Sequence, residues 1–312
     1  MGKVVVIVGP TASGKTALAQ ALALQIGGEV VSADSMQVYK GLDIGTGKLL
    51  PEDRLVPHYG FDIALPDQPY SAALFQDYAR KCFADIFSRG KQPILCGGTG
   101  FYVRAAIDAY DFPKGEQVDN PVREKCLAFA AANGSQALWE RLSQRDPESA
   151  AIIPPNDTKR VARAFELLSE GTSYAQQKEN LASIPEAVPS VWIGLKVDPD
   201  ILRKRIDDRV DTMFADGLVE EVRGLLGLGL REAITAGQAI GYKEVVAALD
   251  GKQTLDEAKE QIKHATHRYA KRQRTWFRKE ARIHWIDADS LDLETMTSAA
   301  LSVLANEGDI DA

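Results

Sequence analysis

The most constraining feature of this chain is its first 26 residues, MGKVVVIVGPTASGKTALAQALALQI. The β-branched run from Val4 to Val8 carries no polar alternation and predicts a strand buried on both faces. It runs directly into Gly9, Pro10, Thr11, Ala12, Ser13, Gly14, Lys15 and Thr16, the G-x-x-x-x-G-K-[ST] spacing of a phosphate loop. The Ala/Leu-rich residues 17–26 then predict a helix. Strand, glycine-rich loop and helix stand in the order the motif requires, which argues against a plain glycine-rich turn. The glycines let backbone N–H groups turn toward phosphate oxygens, and the helix N-terminus adds positive potential. Lys15 supplies a point charge, and the Thr16 hydroxyl is a candidate Mg2+ ligand. The motif specifies phosphates; it does not specify ATP.

Beyond this stretch the alternation of strands and helices continues. Val30 and Val31 predict a short second strand, with Asp34 just past its end, where open α/β sheets hold their ligands. Residues 41–48 are too rich in glycine for a helix. Residues 59–63 predict a strand, and 71–88 a helix capped by Ser71 and stopped by Gly90. Residues 93–96 predict a buried strand ending in a second glycine-rich turn, followed by a helix to about residue 107. Residues 110–118 turn polar, with Pro and Gly. From 119 to 184 there is no strand pattern, and helices are expected at 121–132, 135–144 and 157–169. Residues 190–197 return to strand. Helices follow at 199–214, 218–226, 242–249 and 255–282, then a short strand at 283–286 and a surface helix beyond 292. The expected class is α/β: a P-loop NTPase-like parallel sheet flanked by helices, with an all-helical insertion domain. Residues 1–118 and 185–312 would form the core and 119–184 the insertion, and a length of 312 residues agrees with about two domains.

Composition narrows the function classes. The apolar runs fall far short of the ~20 residues of a membrane span, and the N-terminal run is too short for a signal peptide. A cytoplasmic protein without a membrane partner is expected. Cys82, Cys96 and Cys126 are scattered, which indicates neither a disulfide framework nor a zinc module. His58, His264, His267 and His284 show no metal-ligand spacing. A net charge of −7 argues against indiscriminate coating of nucleic acid. Yet Lys263, Arg268, Lys271, Arg272, Arg274, Arg278, Lys279 and Arg282 cluster against the single acid Glu280, a local basic face that suits a specific polyanion.

Several residues are candidates for chemistry, each with a plainer alternative. Asp34 is ionised at neutral pH and available as a proton acceptor; a turn-capping role is the alternative. Thr99, in the turn Gly97-Gly98-Thr99-Gly100, is either a hydroxyl near the reacting centre or a helix N-cap. Arg203, Arg205 and Arg209 follow a strand, where arginines hold phosphates or pair with Asp207 and Asp208. The segment 266–278 interleaves cations with Tyr269, Trp276 and Phe277. The cations suit RNA phosphates, and Trp276 and Phe277 read as core. An ordinary kinase would carry a Walker-B Asp at the end of a strand, but residues 93–96 lead into Gly-Gly-Thr. Phosphate recognition is therefore present without a clear apparatus for moving a γ-phosphoryl group. A small-molecule kinase, a non-catalytic RNA-binding protein and a prenyltransferase of free adenine nucleotides stay open on these residues alone.

The motifs together resemble the bacterial tRNA dimethylallyltransferases, also called tRNA isopentenyl transferases. The resemblance rests on residues 9–16, DSMQVYKGLDIGTGK at 34–48, GGTGFY at 97–102, PNDTKR at 155–160, GYK at 241–243 and AKRQRTW at 270–276, in family order across nearly the whole chain. Gly47 stands where the family usually has Ala, and Phe101 where it usually has Leu. The resemblance implies transfer of a dimethylallyl group from dimethylallyl diphosphate to N6 of adenine 37 in tRNAs that read codons starting with U. The products would be N6-(dimethylallyl)adenosine and diphosphate. It implies that residues 9–16 hold the diphosphate with Mg2+ at Thr16, and that Asp34, Thr99 and Arg209 are catalytic. It implies tRNA contacts at Asp34, Ser35, Met36, Gln37, Thr99, Arg123, Asp157, Arg160, Lys271, Arg272, Arg274 and Arg278. It leaves open whether a nucleoside triphosphate also enters the loop. A monomer is expected.

Overall fold

The computed structural model describes residues 2–112 and 120–307. Contacts divide the chain into two compact units, Met1–Asp108 with Glu186–Ala312, and Ala109–Pro185. The boundary expected at 118/119 lies outside the described residues. The smaller unit takes in Ala109, whose N–H donates to the Pro185 carbonyl at 2.8 Å and draws the two ends of that unit together.

The larger unit opens with β1 (Val4–Val8), α1 (Lys15–Ile26), β2 (Gly28–Ser32), β3 (His58–Tyr59), α2 (Ala72–Ser88), β4 (Gln92–Gly97) and α3 (Gly100–Ile107). The smaller unit holds α4 (Pro121–Asn133), α5 (Ser135–Arg145), α6 (Pro147–Ile152), α7 (Thr158–Ser169) and α8 (Tyr174–Ala182). The larger unit resumes with β5 (Ser190–Lys196), α9 (Pro199–Ala215), α10 (Leu218–Leu226), α11 (Tyr242–Leu249), α12 (Leu255–Phe277), β6 (Ile283–Asp287) and α13 (Leu293–Glu307). Its strands form one parallel sheet in the order β3-β2-β4-β1-β5-β6.

The phosphate-loop strand lies inside that sheet, with Val6 registered against Leu95 on one side and Trp192 on the other. Alternate side chains feed two cores, which is why the strand reads as uninterrupted apolar sequence. Val4, Val6 and Val8 pack with Phe75, Phe83 and Val103 from α2 and α3. Val5 and Ile7 pack with Leu18 and Leu22 of α1 and with Met296 and Ala300 of α13. The tail helix is thus a packed layer with one buried face. Since side chains of parallel strands are covered on both faces, ligands are left the C-terminal edge of the sheet.

Two elements differ from expectation. The third strand is two residues long, because Gly60 (φ 87°) and Asp62 (φ 57°) adopt left-handed conformations that turn the chain out of the sheet. Helix α12 ends at Phe277, five residues early. There the N–H groups of Lys279 and Glu280 close tight turns on the Trp276 and Phe277 carbonyls, and Arg282 is drawn to the buried Asp108 carboxylate at 2.8 Å.

The smaller unit has its own core, built around Leu138, Leu142, Val161 and Ala164. It contains two helices that periodicity did not reveal, α6 and α8. Asp146 starts α6 by accepting the Ser149 N–H at 3.1 Å, and Pro147 follows at the first helical position.

Candidate active site

Helix α1 begins at Lys15, capped by Gly14 in the left-handed region (φ 90°), a conformation a side chain resists. Ala12 is also left-handed (φ 61°). Such alternation curls successive N–H groups inward and forms an anion nest at the helix N-terminus. The loop is fixed from outside by Gln273 of α12, itself only 4 % exposed. Its Oε1 accepts the Thr11 N–H at 2.8 Å, and its Nε2 donates to the Gly98 carbonyl at 2.9 Å. One amide therefore bridges the two glycine-rich turns. The Ser13 hydroxyl is buried in the nest with no hydrogen-bond partner among the described residues. Lys15 Nζ donates to the Pro10 carbonyl at 2.6 Å. Burial pushes its pKa down to about 8, against the opposing pull of Asp34.

Asp34 follows β2 and faces the same cavity, whose volume is about 950 Å³, within the range of small-molecule sites. Its Oδ1 accepts the N–H groups of Met36 (2.9 Å) and Gln37 (3.4 Å), an Asx-type turn that fixes the carboxylate. Its Oδ2 takes no hydrogen bond among the described residues. Both earlier readings of this residue are thus compatible: one oxygen caps the turn and the other is left to act. Thr99 occupies the N-cap position of α3, yet its hydroxyl makes no cap hydrogen bond. Instead Oγ1 accepts the Ser35 N–H at 3.1 Å, and the half-buried Tyr269 phenol lies against it.

Of the three arginines after β5, Arg209 lines the cavity. Its Nη2 donates to the Thr46 carbonyl at 3.1 Å. Burial lowers its pKa, and Asp34 raises it. Arg205 is held at the end of β6 by the Ala288 carbonyl (3.0 Å) and the Asp289 carbonyl. Arg203 is exposed and pairs with Asp200. Gly47 is left-handed (φ 59°) and lies directly under the Arg209 guanidinium, which a methyl group at that position would overlap. The departure from Ala at this residue therefore has a local consequence: it gives Arg209 room to rest on the loop backbone.

The 43–47 segment that receives Arg209 is held by a residue the sequence did not single out. Glu221 of α10 accepts the N–H groups of Asp43 (3.2 Å), Ile44 (2.7 Å) and Gly45 (3.3 Å), and the Tyr242 hydroxyl at 2.6 Å. The carbonyls of Thr46 and Gly47 in turn accept from the Gln37 amide, both at 3.3 Å. Glu221→Gln keeps the shape but removes the charge and one acceptor oxygen. It is expected to cost about 1–3 kcal/mol of stability, read as a lower denaturant midpoint. An unchanged midpoint would show that the loop is held by other contacts.

Lys271 and Arg274 of α12 and Arg278 just past its end line a second cavity, which Arg272 does not. Arg272 lies over the Tyr269 ring, 5.6 Å from its centroid. Phe277 is core at 1 % exposure, but Trp276 is 43 % exposed, contrary to expectation. The close approach of α12 to Gly100 places its indole on the surface over the turn. In the smaller unit Arg123 grips the buried Glu166 through Nε and Nη2 (3.2 Å for the latter), alongside Arg163. Asp157 caps α7 by accepting the Arg160 N–H at 3.1 Å, and its other oxygen pairs with that arginine. These contacts give Arg123 and Asp157 structural work within the unit. Gln273, Glu221 and Tyr269 are the site residues that sequence reasoning missed. Gln273 and Tyr269 lay inside a segment already singled out, but nothing in the pattern separated them from their neighbours.

Among the described residues no helix is long and apolar enough to cross a membrane, and no cluster of His, Cys, Asp and Glu has metal-binding geometry. Residues 37–280 match the family model described as IPP transferase, and residues 2–55 match isopentenyl transferase. A tRNA dimethylallyltransferase of Geobacillus thermodenitrificans is 47 % identical over 292 residues, covering 91 % of this chain and 90 % of that protein. The corresponding protein of Carboxydothermus hydrogenoformans is 46 % identical, with 96 % of each chain covered. The crystal structure of a tRNA isopentenylpyrophosphate transferase from Staphylococcus epidermidis is similar with a TM-score of 0.72 at 39 % identity, covering 99 % of this chain and 100 % of that one. A eukaryotic dimethylallyltransferase acting on tRNA gives a TM-score of 0.80 at 29 % identity, covering 98 % of this chain and 79 % of that one. On its parallel sheet, its phosphate loop and these likenesses, the chain belongs to the IPP transferase family.

Proposed function

We propose that this chain transfers a dimethylallyl group from dimethylallyl diphosphate to N6 of adenine 37 in the anticodon loop of tRNAs that read codons starting with U. The observation that carries this reading is the opposition, across one cavity, of a cationic anion nest at Lys15 and a carboxylate with a free oxygen at Asp34. The adenine must leave its stack to reach that oxygen, which costs a few kcal/mol and has to be offset by contacts to the loop. Asp34 Oδ2 then accepts the N6 proton as the nitrogen bonds to C1 of the allyl group and the C1–O bond breaks, releasing diphosphate. The N6 lone pair is delocalised, so the chemistry leans on the leaving group. Lys15, Arg209 and the loop amides meet the negative charge that develops there. Thr99 holds the Asp34–Ser35 backbone in register.

The donor set also fits Mg2+. The Thr16 hydroxyl lines the cavity and takes no hydrogen bond among the described residues, and a hard cation of this kind binds through hydroxyl and phosphate oxygens. When bound, the ion adds positive charge beside the diphosphate. We read the enzyme as a monomer, and a tRNA substrate fits a place of work in the cytoplasm.

The test is transfer of label from dimethylallyl diphosphate to unmodified tRNA. Label on adenine 37 is the expected result; phosphate release from ATP with no labelled tRNA would favour a kinase.

Lys15 makes the first step sensitive to pH. Its ordinary value of 10.5 falls to about 8 in the folded site, so above that pH the free enzyme holds it neutral. A bound diphosphate restores the charge. Binding a non-reactive diphosphate analogue at about pH 8.5 should take up most of one proton. The affinity should fall with rising pH by up to about tenfold per unit. Below about pH 7 this contribution is flat. Calorimetry in buffers of different ionisation enthalpy counts the proton; a count of zero would show that Lys15 is already charged in the free site and that burial does not depress it.

A further inference from the structure

We propose that Gln273 is a positioning residue for the transfer step, one that fixes the leaving diphosphate at a working distance from Asp34; this rests on the reading of the function given above. The two reacting groups belong to separate loops. The phosphate nest is carried by residues 9–16 after β1, and Asp34 lies between Ala33 and Ser35 after β2. Both neighbours of Asp34 are held by Thr99, whose N–H donates to the Ala33 carbonyl at 3.3 Å and whose Oγ1 accepts the Ser35 N–H at 3.1 Å. The 97–100 turn therefore decides where the carboxylate stands. Parallel pairing ties that turn to the phosphate loop only as far as Val8 against Gly97. Beyond this pair, no backbone hydrogen bond joins residues 10–14 to residues 98–100 among the described residues. The Gln273 amide spans the gap, accepting from Thr11 at 2.8 Å and donating to the Gly98 carbonyl at 2.9 Å.

The demand on this position is chemical as well as steric. A backbone N–H can only donate and a carbonyl can only accept, so a side chain that bridges the two must do both at once. Glutamine does so from a terminal amide on a stem long enough to leave the helix. The side chain is buried, so water does not compete for either partner and both bonds gain from the low local dielectric. The turn also leaves room for it: a methyl group on Gly98 would lie 2.2 Å from Nε2. Tyr269, one helical turn earlier on the same face of α12, sets its phenol against both Thr99 and Gln273. Helix α12 thus holds the 97–100 turn with two side chains and the phosphate loop with one of them. A misplacement of about 1 Å between reacting groups can cost roughly 10²-fold in rate. The nest amides and Lys15 stay in place without the bridge, so its loss should be felt in the transfer step and not in the affinity for either substrate.

The test combines kinetics with amide hydrogen exchange. Gln273→Met keeps the bulk and removes both bonds; Gly98→Ala leaves Gln273 in place and pushes its amide off the turn. Each variant should lose about 10- to 100-fold in the single-turnover rate of transfer at saturating dimethylallyl diphosphate and tRNA. Affinity for tRNA and for magnesium diphosphate should stay within about threefold. A saturated rate in Gln273→Met within about threefold of the unsubstituted enzyme, or a loss confined to diphosphate affinity, would overturn the proposal. Exchange depends on neither transfer nor a variant. Magnesium diphosphate added to the unsubstituted enzyme should slow exchange at residues 11–14 and, through the bridge, at 97–100. In Gln273→Met the slowing should stop at 11–14. No slowing at 97–100 in the unsubstituted enzyme, or the same slowing in the variant, would overturn the proposal. If the unsubstituted enzyme transfers no label to tRNA, the reading of the function fails, and the exchange result still decides the bridge.

Discussion

Asp34→Asn is expected to stop transfer while leaving tRNA affinity within a few fold. The substitution is chosen for its economy. Asn keeps Oδ1, which accepts the Met36 and Gln37 N–H groups, so the Asx turn and the register of the loop survive. What changes is the second position, where an acceptor oxygen becomes an amide donor that cannot take a proton from N6. A positioned general base contributes about 10²- to 10⁴-fold, and a loss of that size should fall on the single-turnover rate. Filter binding of tRNA on the same sample separates chemistry from recognition. A rate within threefold of the unsubstituted enzyme would remove Asp34 from proton transfer and leave it only its turn.

Lys15→Met is expected to have the next largest effect. It keeps an unbranched side chain, one atom shorter, and deletes the charge that meets the leaving diphosphate. Removing a single stabilising donor from such a site costs about 10²- to 10³-fold, and the loss should appear in kcat/KM for dimethylallyl diphosphate. The fold should not suffer. Burial opposes the charged form of Lys15 and lowers its pKa to about 8, so at neutral pH the folded protein carries a charge that its surroundings resist. A neutral thioether lifts that strain, and the denaturant midpoint should stay level or rise. A loss of activity accompanied by a lower midpoint would point to misfolding of the loop, not to lost charge stabilisation.

What could be read from the sequence, and what could not, follows from the range of the interactions. The phosphate loop was legible because its demands are local: a buried β-branched strand, glycine where the backbone turns left-handed, and a lysine at the helix start. The parallel sheet followed from apolar runs too continuous for a one-sided strand. The long helices of the insertion showed their spacing, but α6, at six residues, is too short to display a period, and among the described side chains of α8 none is fully buried to mark one. Gln273 and Glu221 were not legible for another reason. Each is a polar residue on a helix, and its role exists only because the fold brings it to a loop far away in sequence, from Gln273 to Thr11 and from Glu221 to Ile44. The basic segment was read as one face because charge clusters in sequence. The helix turns that cluster through its own circumference and divides it between a flank at Tyr269 and the second cavity at Lys271 and Arg274.

The most direct test of this chemistry is one structure determination, that of the enzyme with a non-reactive dimethylallyl diphosphate analogue and an anticodon stem-loop. The predicted result is both phosphates inside the nest of residues 9–16 with Lys15 upon them, and the exocyclic nitrogen of an everted adenine within about 2.6–3.2 Å of Asp34 Oδ2. A diphosphate bound elsewhere, or an Asp34 carboxylate turned away from the base, would contradict it.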